Sequence, residues 1–83
     1  MRAAIRTILS EVARLDVPVE SLDDQADLYE AGLSSLATVQ VMLAIENTFG
    51  IEIPDRMLTR KLFRSISALA AATEQIKQEQ EAA

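Results

Sequence analysis

The sequence predicts an all-α fold, a four-helix bundle of three longer helices and one short one, with a long loop between helices one and two. Three observations lead there. Apolar residues recur at spacings of three and four in separate stretches of the 83-residue chain. No stretch alternates apolar and polar residues as a half-buried strand does, apart from the two-isoleucine connector Ile51-Glu52-Ile53. Pro18, Gly32, Gly50 and Pro54 all fall between the periodic stretches and punctuate them.

Ile5, Ile8, Leu9, Val12 and Leu15 set out an amphipathic first helix over about residues 2–16. Pro18 disfavours helix at the residue before it and ends that element. Residues 17–34 hold Pro, Asp, Ser and Gly and few periodic apolar positions, with Leu28, Tyr29 and Leu33 as anchors to the core. A connection this long in so small a domain is more often functional than accidental.

The second helix is expected from Ser35 to about Phe49, with Ser34 or Ser35 near its N-cap and Gly50 closing it in a left-handed conformation. At 100° per residue, Val39, Met42, Ile45 and Phe49 form the predicted core stripe. Leu36 and Leu43 point about 100–120° away, beside Gln40 and Asn47. This second apolar pair calls for a cover, either the first helix or a partner. A short third helix follows over about residues 55–61, and a last one from Ser65 with Ile66, Leu69, Ala70, Thr73 and Ile76 inward. Residues 77–83 lack apolar anchors and are expected to fray.

Composition narrows the chemistry. There are no cysteines and no histidines, so thiolate sites, disulfides and the commonest general base and zinc ligand are absent. Asp23, Asp24 and Asp27 lack the Gly and terminal Glu of a calcium loop at the required offsets, so no metal site is expected. Thirteen acids against eight bases give a net charge of −5, which argues against nucleic acid as a partner. No apolar run approaches the roughly 20 residues that cross a bilayer, and no signal-peptide pattern opens the chain. The expected setting is the cytoplasm, with no membrane partner. Acids dominate residues 1–34, whereas Arg56, Arg60, Lys61 and Arg64 crowd into a basic stretch. On a continuous helix Arg56, Arg60 and Arg64 share one face, either a solvated charged surface or a docking patch for an acidic partner.

Gly32-Leu33-Ser34-Ser35-Leu36 displays a serine at the start of a helix without machinery to make it a nucleophile. A hydroxyl so displayed suits modification by another enzyme. Asp27-Leu28 and Gly32 precede it, Thr38-Val39 follow it, and Phe49-Gly50-Ile51-Glu52-Ile53-Pro54-Asp55 comes later at a characteristic interval. With these features the chain, from the first helix to about Ile76, resembles the acyl carrier and peptidyl carrier proteins. The resemblance implies one carrier domain over residues 1–76 and a modified serine at Ser35, with Leu36 and the interval to Phe49-Gly50 setting the register. It further implies that a phosphopantetheinyl transferase uses magnesium and coenzyme A to attach 4′-phosphopantetheine to Ser35. Partner enzymes, namely a loading ligase or acyltransferase and a downstream acceptor, then do the catalysis. The chain itself is expected to be a monomer and not an enzyme. Leu36, Gln40, Leu43, Asn47, Arg56 and Arg60 are the candidate partner contacts.

Two departures from the family pattern bear on the cargo. Ser34 stands where an Asp usually precedes the modified serine, and positions 35–49 contain a single acid, Glu46. Electrostatic steering toward basic partner surfaces is therefore weak. The pattern looks more like a dedicated carrier of aminoacyl or specialised acyl groups than a carrier of ordinary fatty-acid synthesis, which is the alternative. A cofactor-free helical adaptor or dimerisation module is the rival from another class; it explains the apolar pair but not the retained motif spacing.

Overall fold

A computed structural model describes residues 1–82, and among them the regular structure is entirely helical. The first helix, α1 (Arg2–Ile8), runs on as a wider π-helical turn over Leu9–Ala13 and stops where Arg14 turns left-handed at φ 51°. It is shorter than the expected 2–16, and its inner face differs. The wide turn brings Ala13 inward, so Ile5, Ile8, Leu9 and Ala13 are buried, while Val12 and Leu15 only flank the core.

Residues 14–34 cross the bundle with one 3₁₀ turn, Val19–Ser21. Leu28 and Leu33 are buried anchors as expected, joined by Val19 and Ala31, and Tyr29 is half-buried. Polar clasps fix the rest. The Arg6 guanidinium donates to the Val19 and Leu22 carbonyls and to Asp24, at 3.0, 2.8 and 2.8 Å. Arg2 lies 3.5 Å from the other Asp24 oxygen. Farther on, Leu28 N–H donates to the Arg64 carbonyl at 2.8 Å, and Ser67 N–H to that of Asp24 at 2.9 Å. The segment is thus ordered by contacts with both neighbouring helices.

The crossing closes at Gly32. Asp16 N–H donates to the Ala31 carbonyl at 2.8 Å, and Gly32 sits at φ +107° against Asp16. A Cβ there would lie 2.6 Å from the Asp16 carboxylate and 3.1 Å from its backbone nitrogen. Gly32→Ala is therefore expected to destabilise by about 1–2 kcal/mol, combining a disfavoured φ with a crowded backbone. A denaturant midpoint unchanged from wild type would show that this clasp contributes nothing.

The second helix, α2 (Ser35–Phe49), ends at Gly50, left-handed at φ 64°, ψ 40°, as its position in the sequence predicts. Its buried stripe is not the predicted one. Ala37, Val41 and Ile45 face inward, Met42 and Phe49 flank them, and Val39 is 48% exposed. The helix is turned by about a quarter of a revolution from the expected orientation. It packs against the Leu9–Ala13 turn, and two buried alanines, Ala13 and Ala37, permit that approach.

The expected short helix over 55–61 reduces to a single 3₁₀ turn, Asp55–Met57, followed by irregular turns. Buried Ile51, Ile53, Leu62 and Phe63 hold this stretch. The last helix, α3 (Ile66–Ala82), matches its predicted face: Ile66, Leu69, Ala70, Thr73 and Ile76 are all buried. Ser65 caps it, its hydroxyl accepting from Ala68 N–H at 3.0 Å. α3 continues through 77–82 of the stretch 77–83 expected to fray, and residue 83 lies outside the described residues. Polar contacts replace the missing apolar anchors there. The Gln80 side-chain amide donates to the Glu52 carbonyl at 2.8 Å, and its oxygen accepts from Glu52 N–H at 3.2 Å; Lys77 pairs with Glu81 at 3.0 Å.

Candidate functional site

The start of α2 is built by Ser34, which holds extended dihedrals (φ −87°, ψ 166°) while its hydroxyl accepts from Ala37 N–H at 3.1 Å. Its carbonyl accepts the first helical bond, from Thr38 N–H at 3.0 Å. Ser34 is thus the N-cap, and Ser35 is the first helical residue, exposed, with its hydroxyl not engaged in the cap. Thr38 anchors the turn from the other side, donating to the Ser35 carbonyl at 2.6 Å. The first turn of α2 contains no acid, so its leading N–H groups present an unopposed positive end.

Two depressions flank Ser35. One, about 230 Å³, is lined by Tyr29, Ser35, Thr38, Leu58, Thr59, Arg60 and Phe63. The other runs past Arg14, Gly32, Ser34, Leu36 and Gln40. Both are open, so an extended group on the Ser35 hydroxyl meets no wall. Of the predicted basic residues, Arg60 shares the first groove with Ser35, its guanidinium carbon 3.8 Å from the centre of the Tyr29 ring. The Tyr29 hydroxyl donates to the Arg60 carbonyl at 3.1 Å. Burial pushes the Tyr29 phenol above its ordinary pKa, with Asp27 adding to the rise and Arg60 opposing it. Arg56 sits exposed in the 3₁₀ turn, and Arg64 pairs with Asp27 at 3.9 Å. Because the stretch from 55 to 64 is not one helix, the shared arginine face expected from the four-residue spacing does not form.

Along α2, Leu36, Gln40, Leu43 and Asn47 are exposed on one face that starts beside Ser35, with Leu36 69% and Leu43 50% accessible. Val39 joins that face, although the periodicity puts it in the core. The signal was present in its spacing, three residues from Leu36 and four from Leu43. Glu46, the helix's single acid, is not spent on this surface. Its carboxylate accepts from Ile53 N–H at 2.9 Å and ties the isoleucine connector to α2. The outward face of the helix is accordingly apolar and neutral.

An exposed hydroxyl at a capped, acid-free helix start, opening onto unobstructed grooves, fits a covalently attached phosphodiester arm. The family described as "Phosphopantetheine attachment site" matches residues 3–73, most of the chain. The chain belongs to that family. It is a carrier protein with a 4′-phosphopantetheine group. Among other carrier proteins, it is similar to the aminoacyl carrier protein of Agrobacterium fabrum, 51% identical over the full length of both chains. A carrier protein from Agrobacterium tumefaciens, solved with an engineered Bradyrhizobium japonicum glycine:[carrier protein] ligase and AMP, superposes with a TM-score of 0.86 at 51% identity, over 89% of this chain and 99% of that one. The holo acyl carrier protein of Nitrosomonas europaea superposes with a TM-score of 0.79 at 28% identity, over 89% of this chain and 92% of that one. No described helix is long and apolar enough to cross a membrane.

Proposed function

We propose that this chain is an aminoacyl carrier, with the 4′-phosphopantetheine arm on Ser35 and residues 1–76 as the unit that bears it. The division of labour between Ser34 and Ser35 carries the assignment: Ser34 makes the cap, and Ser35 keeps an exposed hydroxyl beside two open grooves. When attached, the arm supplies a thiol that holds the cargo as a thioester. The protein's own part is to present Ser35, favour the phosphodiester at the helix start, and offer the face of Leu36, Val39, Gln40, Leu43 and Asn47 to partners. No acid–base or nucleophilic chemistry falls to it; a phosphopantetheinyl transferase, a loading ligase and an acceptor enzyme supply that, in the cytoplasm. Arg56 and Arg60 extend the contact surface on the other side of Ser35.

Two features support an aminoacyl cargo over an ordinary fatty-acid one. The carrier of Agrobacterium fabrum that is half identical along its whole length is an aminoacyl carrier. The partner-facing side of α2 has no free acid, since Glu46 is turned to the connector, so charge steering of the kind that basic synthase surfaces exploit is missing. Offering the holo-protein to an amino-acid:[carrier protein] ligase and, separately, to a malonyl transferase tests this. The expected result is rapid thioester formation with one small amino acid. Efficient malonylation followed by chain extension would instead assign it to fatty-acid synthesis.

A further inference from the structure

Arg60 is fixed more firmly than an exposed arginine usually is. Tyr29 holds it twice, its ring 3.8 Å beneath the guanidinium carbon and its hydroxyl donating to the Arg60 carbonyl at 3.1 Å. Tyr29 is itself seated by Asp27, whose carboxylate accepts from Tyr29 N–H at 2.9 Å and from Glu30 N–H at 3.3 Å. A guanidinium lying against a ring uses its face and leaves its N–H edge available. Among the described residues no carboxylate pairs with it: Asp27, the acid on the same rim, is committed to those backbone N–H groups and to Arg64. The result is an oriented cation without an anion, in a chain whose net charge is −5.

That cation lines the same small groove as Ser35, together with Thr38 and Thr59. Because Ser35 itself lines this groove, a phosphate joined to its hydroxyl would sit at the groove's edge. We propose that Arg60, seated on Tyr29, binds the phosphodiester of the arm and inclines the arm's root into the groove between α2 and residues 58–63. The contact is a charge-assisted one, for which the guanidinium fork is better shaped than an ammonium. It leaves the pantetheine chain beyond the phosphate free to move, so the base of the arm has a preferred direction while its thiol still reaches partner sites. The proposal rests on Ser35 as the attachment residue.

Nuclear magnetic resonance of the full-length apo- and holo-proteins tests it, after peptide mapping has located the arm. The Arg60 side-chain N–H resonance is expected to shift on conversion from apo to holo, and the phosphorus resonance of holo-protein to shift in Arg60→Gln. Arg60→Lys is expected to give an intermediate phosphorus shift, and Lys61→Gln, which removes a neighbouring charge outside the groove, none. An Arg60 resonance identical in apo- and holo-protein would overturn the proposal, as would equal phosphorus shifts in Arg60→Gln and Lys61→Gln, which mark a diffuse field. An arm mapped to Ser34 would overturn the attachment residue itself, and the proposal with it; an arm on Ser35 with a silent Arg60 overturns only the contact.

Discussion

Ser35→Ala is expected to abolish gain of the pantetheine arm and to leave stability nearly unchanged, whereas Ser34→Ala is expected to keep the arm and lose about 1 kcal/mol. The two serines are neighbours of the same type, so composition and local charge are matched and only their places in the helix differ. Ser34 supplies the capping oxygen, accepting from Ala37 N–H at 3.1 Å; removing such an oxygen typically costs about 0.5–2 kcal/mol. Ser35 is exposed in the first turn, where alanine is at least as good a helix former. Intact mass after treatment with coenzyme A and a broad-specificity transferase reads modification, and denaturant unfolding of the apo-proteins reads stability. Modification retained in Ser35→Ala but lost in Ser34→Ala would move the attachment register by one residue.

The elements that were legible in the sequence are those whose burial follows a single helical period. Ile66, Leu69, Ala70, Thr73 and Ile76 are buried as their spacing requires, and Gly50 ends α2 because only a left-handed residue lets the chain turn into Ile51. Where two apolar stripes share one helix, period alone does not say which is inside. On α2 the larger side chains Val39, Met42 and Phe49 suggest one face, yet the close approach of the Leu9–Ala13 turn selects Ala37 and Val41. The contact made with that turn, not the hydrophobicity or size of either stripe, decides the orientation, since buried Val41 and exposed Val39 are the same residue type.

The remaining differences come from backbone and polar effects that leave little trace in a hydrophobic pattern. The four-residue spacing of Arg56, Arg60 and Arg64 looks helical, but after one 3₁₀ turn Leu58 leaves helical dihedrals at φ −80°, ψ 70°. At the other end of the chain, residues 77–82 stay helical through Gln80 and Glu52, a pairing between positions far apart in sequence. As for the candidate site, the exposure of Ser35, Leu36 and Leu43 was readable from order and spacing, whereas periodicity assigns the exposed Val39 to the core. The seating of Arg60 on Tyr29 was not, since it joins the long loop to the segment after α2.

Leu36→Ala and Leu43→Ala are each expected to cost roughly 1–3 kcal/mol in the efficiency of loading by a cognate ligase, and Val39→Ala a similar but smaller amount. Apolar side chains 69%, 50% and 48% exposed contribute little to the fold they stand on, so the unfolding midpoints of the apo-variants should stay close to wild type. In a complex the same side chains leave water together. They lie on one face, begin one residue from Ser35 and are interspersed only with Gln40 and Asn47, so a partner that reaches an arm on Ser35 is expected to cover them. Combining Leu36→Ala with Leu43→Ala should lower loading by two orders of magnitude or about 3 kcal/mol, since every 1.4 kcal/mol is tenfold. Charge makes an opposite forecast. Were recognition electrostatic, loading would fall steeply with modest salt as surface charges are screened, and the alanines would be tolerated. With Glu46 held by Ile53 and no other acid on α2, the expected salt dependence is shallow. Measured kcat/KM of the ligase for each holo-variant at low and high salt separates the two, and a steep salt slope with an active double variant would refute an apolar interface.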